Sequence, residues 1–398
     1  MDRPPDLETT DFTPQDYAAR LGRIRSAMEA AEIDTMIITD PSNMGWTTGY
    51  DGWSFYVHQA VIVGLEGAPI WWGRGIDAAG ARRTIIGLPD DSIRSYDDNF
   101  VQNPEKHPME HLATLLAEKE WDSGTIGVEM ESYYYSAKAH AELLTYLPNA
   151  KIKDATALVN WQRAVKSRTE IERMRRAARI VEAMHRTILD VAEPGLPKNR
   201  LVAEILKASV LGAEGHWGDY AAIVPMTPSG LDATAPHLTW DDRPMDKDES
   251  HFFEIAGVYR RYHCPLSRTL FFGEPPAKYR HAEEAVQEAT RAGLEQARPG
   301  NTCEDIANAF NTTLERHGFY KENRCGYSIG LSYPPDWGER TMSLRRTDET
   351  VLEPNMCFHF MPALWLDDGG LEITESILIT ETGAEKFCAL PGEIFVRG

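Results

Sequence analysis

Residues 252–269 read FFEIAGVYRRYHCPLSRT, two apolar runs on either side of a Tyr-Arg-Arg-Tyr turn, the outline of a strand pair. Glu254 stands inside the first run, between Phe252-Phe253 and Ile255, so its carboxylate is expected to be partly withdrawn from water. Burial raises a carboxylate pKa, and a nearby cation restores the charged form. Two kinds of cation are available: Arg268 or Arg261 from the chain itself, or a positively charged ligand.

Upstream of this segment the chain alternates helical and extended patterns. Thr13-Pro14 opens PQDYAARLGRIRSAMEAAEI with an N-cap residue and a proline at the first helical position. DTMIITD follows as a short buried strand, and WTTGYDGWSFYVHQAVIVGLEGAPIWWG mixes aromatic loops with β-branched runs. HLATLLAEKEW, TIGVEM and SAKAHAELLTYL add helix, strand and helix. This predicts an α/β domain ending near residue 158, within a first domain of residues 1–160, and a second domain of residues 161–398. KSRTEIERMRRAARIVEAMHRTILDVAEPG opens the second domain as a long amphipathic helix, with Ile171, Met174, Ala178 and Val181 on one face. ILDVAEPGLPKNRLVAEILKASVLGAEG is echoed by GLEQARPGNTCEDIANAFNTTLERHG, with Gly195 and Gly300 in matching places, which predicts an internal αβ duplication.

The 398 residues carry a formal charge of −20, with 42% hydrophobic and 26% charged residues. Those proportions belong to a soluble globular protein. The acid excess excludes the basic footprint a nucleic-acid binder needs. Five scattered cysteines, with no CxxC pair, predict buried thiols in a reducing compartment. The first residues lack a basic region followed by an apolar one, and no apolar run reaches membrane-spanning length. A cytoplasmic protein without membrane or nucleic-acid partners is expected.

The 252–269 segment resembles the metal-binding strand pair of the pita-bread superfamily, the prolidases, methionine aminopeptidases and creatinases. The resemblance implies a creatinase-like N-terminal α/β domain followed by a pita-bread catalytic domain, an α/β (α+β) fold, with Lys166-Ser167 at the hinge. It also implies five metal-ligand positions, and this chain departs from nearly all of them. Glu254 holds the first, Pro265 the second, and Tyr327 of GYSIG the third, where a histidine normally stands. Met361 of NMCFHFMPA holds the fourth, and the fifth falls on Thr374 or Glu375 of EITESILITETG. Two carboxylates at most remain, too few for a divalent ion, so neither a metal nor another cofactor is expected. Creatinases keep the fold, bind no metal and place a catalytic histidine in a Pro-His pair; DATAPHLTW puts His237 there.

A planar amidinium or guanidinium matches a carboxylate in two-point geometry. Glu254 is therefore the candidate nucleophile or base, and His237 the candidate acid for the leaving nitrogen. Tyr327 either fills the space of the lost histidine or donates a hydrogen bond to developing charge. An arginine should meet a substrate carboxylate, and the resemblance to creatinases favours Arg340. His359 and Glu375 join the candidate substrate-binding residues. TTGYDGWSFYVHQ adds Tyr50, Trp53, Phe55 and Tyr56, whose faces suit a boxed cation. In creatinase-like homodimers this region reaches the partner subunit's site.

TGYDGWSFYVHQ and PIWWGRGIDAAGARRT, with FFEIAGVYRRYHCPLSRTLFFG, resemble the ectoine hydrolases nearly end to end. The resemblance implies metal-independent opening of ectoine, a cyclic amidine with a carboxylate, to an N-acetyl-2,4-diaminobutyrate, with Glu254 linked covalently to the substrate during turnover. A functional link to a following deacetylase is expected with it. The rival expectations are a creatinase-like amidine hydrolase and a dimethylsulfoniopropionate lyase, which needs a metal. A non-enzymatic binding protein is disfavoured by the retained Glu254 and His237.

Overall fold

The computed structural model describes residues 12–397, and the chain divides between Arg163 and Ala164 into two compact units. The first unit is built on a six-stranded sheet. Its strands are β1 (Thr35–Ile38), β2 (Ala60–Gly64), β3 (Ile70–Arg74), β4 (Ile93–Tyr96), β5 (Gly124–Val128) and β6 (Ala150–Asp154), in the order β4-β3-β2-β1-β5-β6. β1, β2 and β3 pair antiparallel, as the β-branched runs predict. β4, β5 and β6 join in parallel through crossovers. The opening helix, Pro14–Ala30, begins as its sequence predicts: Thr13 and Asp16 cap each other's backbone N–H groups.

In the second unit the helix Arg168–Val191 starts at a Ser167–Glu170 capping box. It buries Met174, Ala178 and Val181, while Ile171 stays half-buried. Its partner is the helix Lys198–Leu211. The helices Ala277–Gln296 and Cys303–Arg316 repeat that arrangement. Both turns between helices use a left-handed glycine, Gly195 at φ 86° and Gly300 at φ 88°. The duplication read from the sequence is therefore present as two helix pairs.

The sheets of this unit hold the site. The long hairpin β7 (His251–Tyr259) and β8 (Tyr262–Phe272) is the 252–269 segment, and β16 (Phe395–Arg397) lines its edge. A second sheet runs β10-β9-β11-β14-β15, from β9 (Gly326–Ile329), β10 (Gly338–Ser343), β11 (Cys357–Phe360), β14 (Glu375–Ile379) and β15 (Ala384–Lys386). β12 (Ala363–Leu366) and β13 (Gly369–Glu372) form a separate two-stranded ribbon. Every residue of the two strands but Phe272 is buried, with Arg260 and Arg261 of the turn half-buried, so nearly the whole motif is core.

Gly257 shows why the motif needs a glycine. A Cβ there would stand 2.1 Å from the Ala177 carbonyl oxygen and 2.5 Å from the Val181 nitrogen, both backbone atoms of the long helix. Gly257→Ala must push that helix off β7, and we expect a loss of about 1–3 kcal/mol in denaturant unfolding. An unchanged midpoint would mean that the helix yields freely.

Candidate active site

Glu254 lies mid-strand on β7 and is 3% exposed. It stands opposite Ser267 of β8, so the two side chains share one face. Neither arginine that the sequence offers as its partner goes to it. Arg268 is spent on Glu375 Oε1 at 3.1 Å and on four backbone carbonyls. Arg261 lies beside Asp219 and 3.7 Å over the ring of Tyr220. What faces Glu254 instead is a second buried carboxylate, Glu372, and the buried amine of Lys321. Burial first, and then the Glu372 charge, push Glu254 well above the usual carboxylate range, with Lys321 pulling back. Burial raises Glu372 to about 7, against the Ser267 hydroxyl and Lys321. Burial also lowers Lys321, whose Nζ donates to the Ala363 carbonyl at 3.3 Å.

On the same side runs a chain of neutral polar groups. The Trp337 indole N–H donates to the Tyr327 hydroxyl at 2.6 Å. That hydroxyl lies 3.2 Å from His359 Nδ1, and His359 Nε2 lies 2.8 Å from Thr374 Oγ1. The backbone N–H of Ser267 donates to Thr374 Oγ1 at 2.7 Å, tying the chain to the Glu254 hairpin. Burial, and then the charge of Arg324, hold His359 down at about 3, so its imidazole is neutral. Burial and then the Glu254 charge push Tyr327 well above its ordinary value. A neutral imidazole between two hydroxyls holds both rings in place without adding charge.

The other sequence candidates fall in different places. Of the two candidates for the fifth position, Thr374 meets His359 and Ser267, whereas Glu375 points to Arg268 and Lys386. Glu375 is thus engaged in ion pairs and not grouped with Glu254, because neighbours on an extended chain face opposite ways. His237 is exposed on the turn after the short helix Gly230–Thr234, and the structure does not bring it against Glu254. Its loop is nevertheless tied to the Glu254 strand. Thr227 N–H donates to the Thr239 carbonyl at 3.2 Å, and Met226 exchanges backbone bonds of 3.1 and 2.9 Å with Glu254. Arg340 sits where β10 shifts register against β9, at φ 58°. Bulges and left-handed non-glycine residues of this kind gather beside functional sites.

In the first unit Trp53 and Tyr56 are 59% and 66% exposed. Phe55 packs between Trp53 and Tyr134, with ring centroids at 4.8 and 5.6 Å. Tyr50 is buried, its hydroxyl shared with Ser54 at 2.7 Å and Gln59 at 2.9 Å. Its position there is that of a core residue, packed against Trp71.

The sequence reasoning missed Glu372, Lys321 and Arg324. Glu372 has the same parity as Thr374 along EITES, a signal available once Thr374 is placed inward. Lys321 and Arg324 lie between a helix and a strand, where no period reports direction. The Arg324 guanidinium stands 4.4 Å over the Tyr327 ring and donates to Ser343 Oγ at 3.0 Å.

Among the described residues no three His, Cys, Asp or Glu side chains are grouped so as to hold a metal ion. Pro265, Tyr327, Met361 and Thr374 do not supply the hard, anionic donor set of a two-metal hydrolase.

Residues 172–381 match metallopeptidase family M24, and residues 20–165 match the Creatinase/Prolidase N-terminal domain. The chain is 56% identical to the ectoine hydrolase of Halomonas elongata, over 97% of this chain and 98% of the relative. It is 24% identical to the creatinase of a Bacillus species, over 96% and 92%. Among solved structures, a recombinant prolidase from Thermococcus sibiricus superposes with a TM-score of 0.83 at 16% identity, covering 96% of this chain and 99% of that one. That last likeness shows the fold alone.

Proposed function

The chain belongs to metallopeptidase family M24, with a Creatinase/Prolidase N-terminal domain ahead of the M24 region, and on that premise we propose that it is a hydrolase that opens the cyclic amidine ectoine. The observation that carries this reading is the end-to-end 56% identity with an ectoine hydrolase. The chemistry of the site agrees with it. A buried carboxylate whose in-chain cations are committed elsewhere suits a cationic ligand, whose arrival restores the charged form of Glu254.

Glu254 then supplies the oxygen nucleophile, through its own carboxylate or by deprotonating water. One ring C–N bond breaks with its electron pair passing to nitrogen. The oxygen of water becomes the amide carbonyl, and its two protons end on the released nitrogen, which leaves as an ammonium group. His237 donates to that nitrogen when its loop, anchored through Thr227 and Thr239, folds over the substrate. Tyr327 and His359, held in register by Trp337 and Thr374, form the neutral polar wall. The reaction runs without a metal, since the donor set at the ligand positions does not fit one.

Arg324 over the Tyr327 ring receives the substrate carboxylate, with Arg340 in the neighbouring bulge as the second cation. Arg324→Ala is expected to raise KM for ectoine about tenfold or more, while a cyclic amidine lacking the carboxylate gains no such penalty. Equal effects on the two compounds would assign Arg324 a different task.

By the creatinase pattern the protein is a homodimer in which Trp53, Phe55 and Tyr56 of one protomer reach the partner's site, and the exposure of Trp53 and Tyr56 in the first unit supports this. Five buried free thiols suit a reducing cytoplasm, and no helix among the described residues is long and apolar enough to cross a membrane. An N-acetylated product calls for a deacetylase as the next enzyme.

The deciding experiment is incubation of metal-stripped protein with ectoine, followed by NMR for N-acetyl-2,4-diaminobutyrate. Creatine and dimethylsulfoniopropionate run in parallel as competing substrates. Turnover of ectoine that survives chelator is expected. Inert ectoine would defeat the substrate reading, and loss of turnover with chelator would defeat the metal-free one.

A further inference from the structure

Glu372 is a buried carboxylate for which the fold has no use. Its backbone N–H donates to Thr269 Oγ1 at 2.8 Å, and the Thr269 hydroxyl donates to its carbonyl at 3.1 Å. These bonds lay the end of β13 against Thr269, two residues along β8 from Ser267 and therefore on the same face. Ser267 stands opposite Glu254, so the two glutamates lie on one side of the hairpin, close enough for the charge of one to act on the other. Both Glu372 carboxylate oxygens are buried without a hydrogen bond of good geometry, and the neighbouring Ser267 hydroxyl, itself without another partner, is the one donor group close enough to act on them among the described residues. The one cation beside them, Lys321, directs its hydrogen bond to the Ala363 carbonyl. A carboxylate buried without donors weakens a fold, and proteins tolerate such groups where a site requires them.

The substrate class proposed above supplies N–H donors of the kind that Ser267 alone does not. A cyclic amidinium has its N–H groups in the plane of the ring, while a nucleophile must approach the amidine carbon from above that plane. One carboxylate cannot occupy both positions. Resting on the ectoine reading, we infer that Glu372 binds the amidinium cation through a ring N–H, leaving Glu254 for the attack on the amidine carbon. Glu372 is then a substrate-binding residue, and the two acids divide holding from chemistry. The Lys321 charge offsets the repulsion between the two acids.

The test compares Glu372→Gln and Glu372→Leu with the parent protein, using melting temperature, ectoine kinetics and calorimetric binding. Both variants should melt at or above the parent, because an unsatisfied acid has been removed. KM for ectoine should rise at least tenfold, with kcat changing by a smaller factor. An unchanged KM overturns the inference. So does a lower melting temperature in both variants, which would make Glu372 a structural group. If the parent itself leaves ectoine untouched, the substrate reading fails, and acetamidinium binding decides the role of Glu372. Weaker acetamidinium binding in the Gln variant sustains the role, and equal binding ends it.

Discussion

Glu254→Gln should lower kcat for ectoine by at least about a thousandfold, the scale on which removal of a nucleophile or its activating base acts, while leaving the protein folded. The structural basis is unusual for so buried a residue. The carboxylate holds nothing together: both candidate arginines are occupied elsewhere, and what it meets is another carboxylate and a lysine. Its pKa is raised, so the folded protein keeps this proton at pH values where the unfolded chain has released it. A raised carboxylate stabilises most below its ordinary pKa, and that contribution fades as pH climbs toward the folded value. Glu372 adds the same trend between its ordinary value of 4.5 and about 7. The parent should thus lose stability from mildly acid to neutral pH, and Glu254→Gln should flatten the profile and melt at or above the parent near pH 7. Retained activity in this variant would move the nucleophile elsewhere. A variant that melts well below the parent would show that Glu254 supports the fold.

Arg268→Met should produce the largest loss of stability, about 3–5 kcal/mol, with the fold itself as the casualty. The side chain is fully buried and donates to the carbonyls of Ser267, Thr374, Leu390 and Pro391 as well as to Glu375. It therefore joins β8 to the start of β14 and to the segment that leads into β16. Methionine fills much of the volume but takes one donor from each of four carbonyls and a carboxylate, of which the Ser267 carbonyl keeps the Thr374 N–H at 3.1 Å, and an unmet buried group costs more than the bond it made. Lys386, which also reaches Glu375 at 3.0 Å, limits the damage at the carboxylate. A midpoint within about 1 kcal/mol of the parent would mean that water replaces the guanidinium. The two substitutions make opposite statements about neighbouring segments of one hairpin: an acid held for chemistry and a base held for architecture.

Much of this division was visible in FFEIAGVYRRYHCPLSRT. An acid amid phenylalanines must be buried if the segment is a strand, and the closing Arg-Thr offered its natural partner. Sequence could not say whether that partner was used. The answer depends on Glu375, more than a hundred residues downstream, which reaches Arg268 because β14 packs beside β8. The same adjacency sends Thr374 and Glu375 to different partners, since neighbours in an extended segment take two opposite faces once the surrounding strands are in place. His237 illustrates the reverse limit. A Pro-His pair marks the residue, but a loop's direction is not periodic, and the structure leaves it exposed.

Periodicity, caps and glycines are local properties, so the sequence alone determined the helices, the repeated helix pairs and the buried hairpin of this protein. The chemistry of Pro265 and Met361 is equally local, because a proline or a methionine cannot become an anionic donor in any fold. Which charges meet was decided by tertiary structure only. The pairing of Glu254 with Glu372, the diversion of Arg268 to Glu375 and the seat of Arg324 over Tyr327 each join residues from separate strands and loops. Electrostatic partners are selected by distance in space, and distance in space is what a single chain's order of residues does not contain.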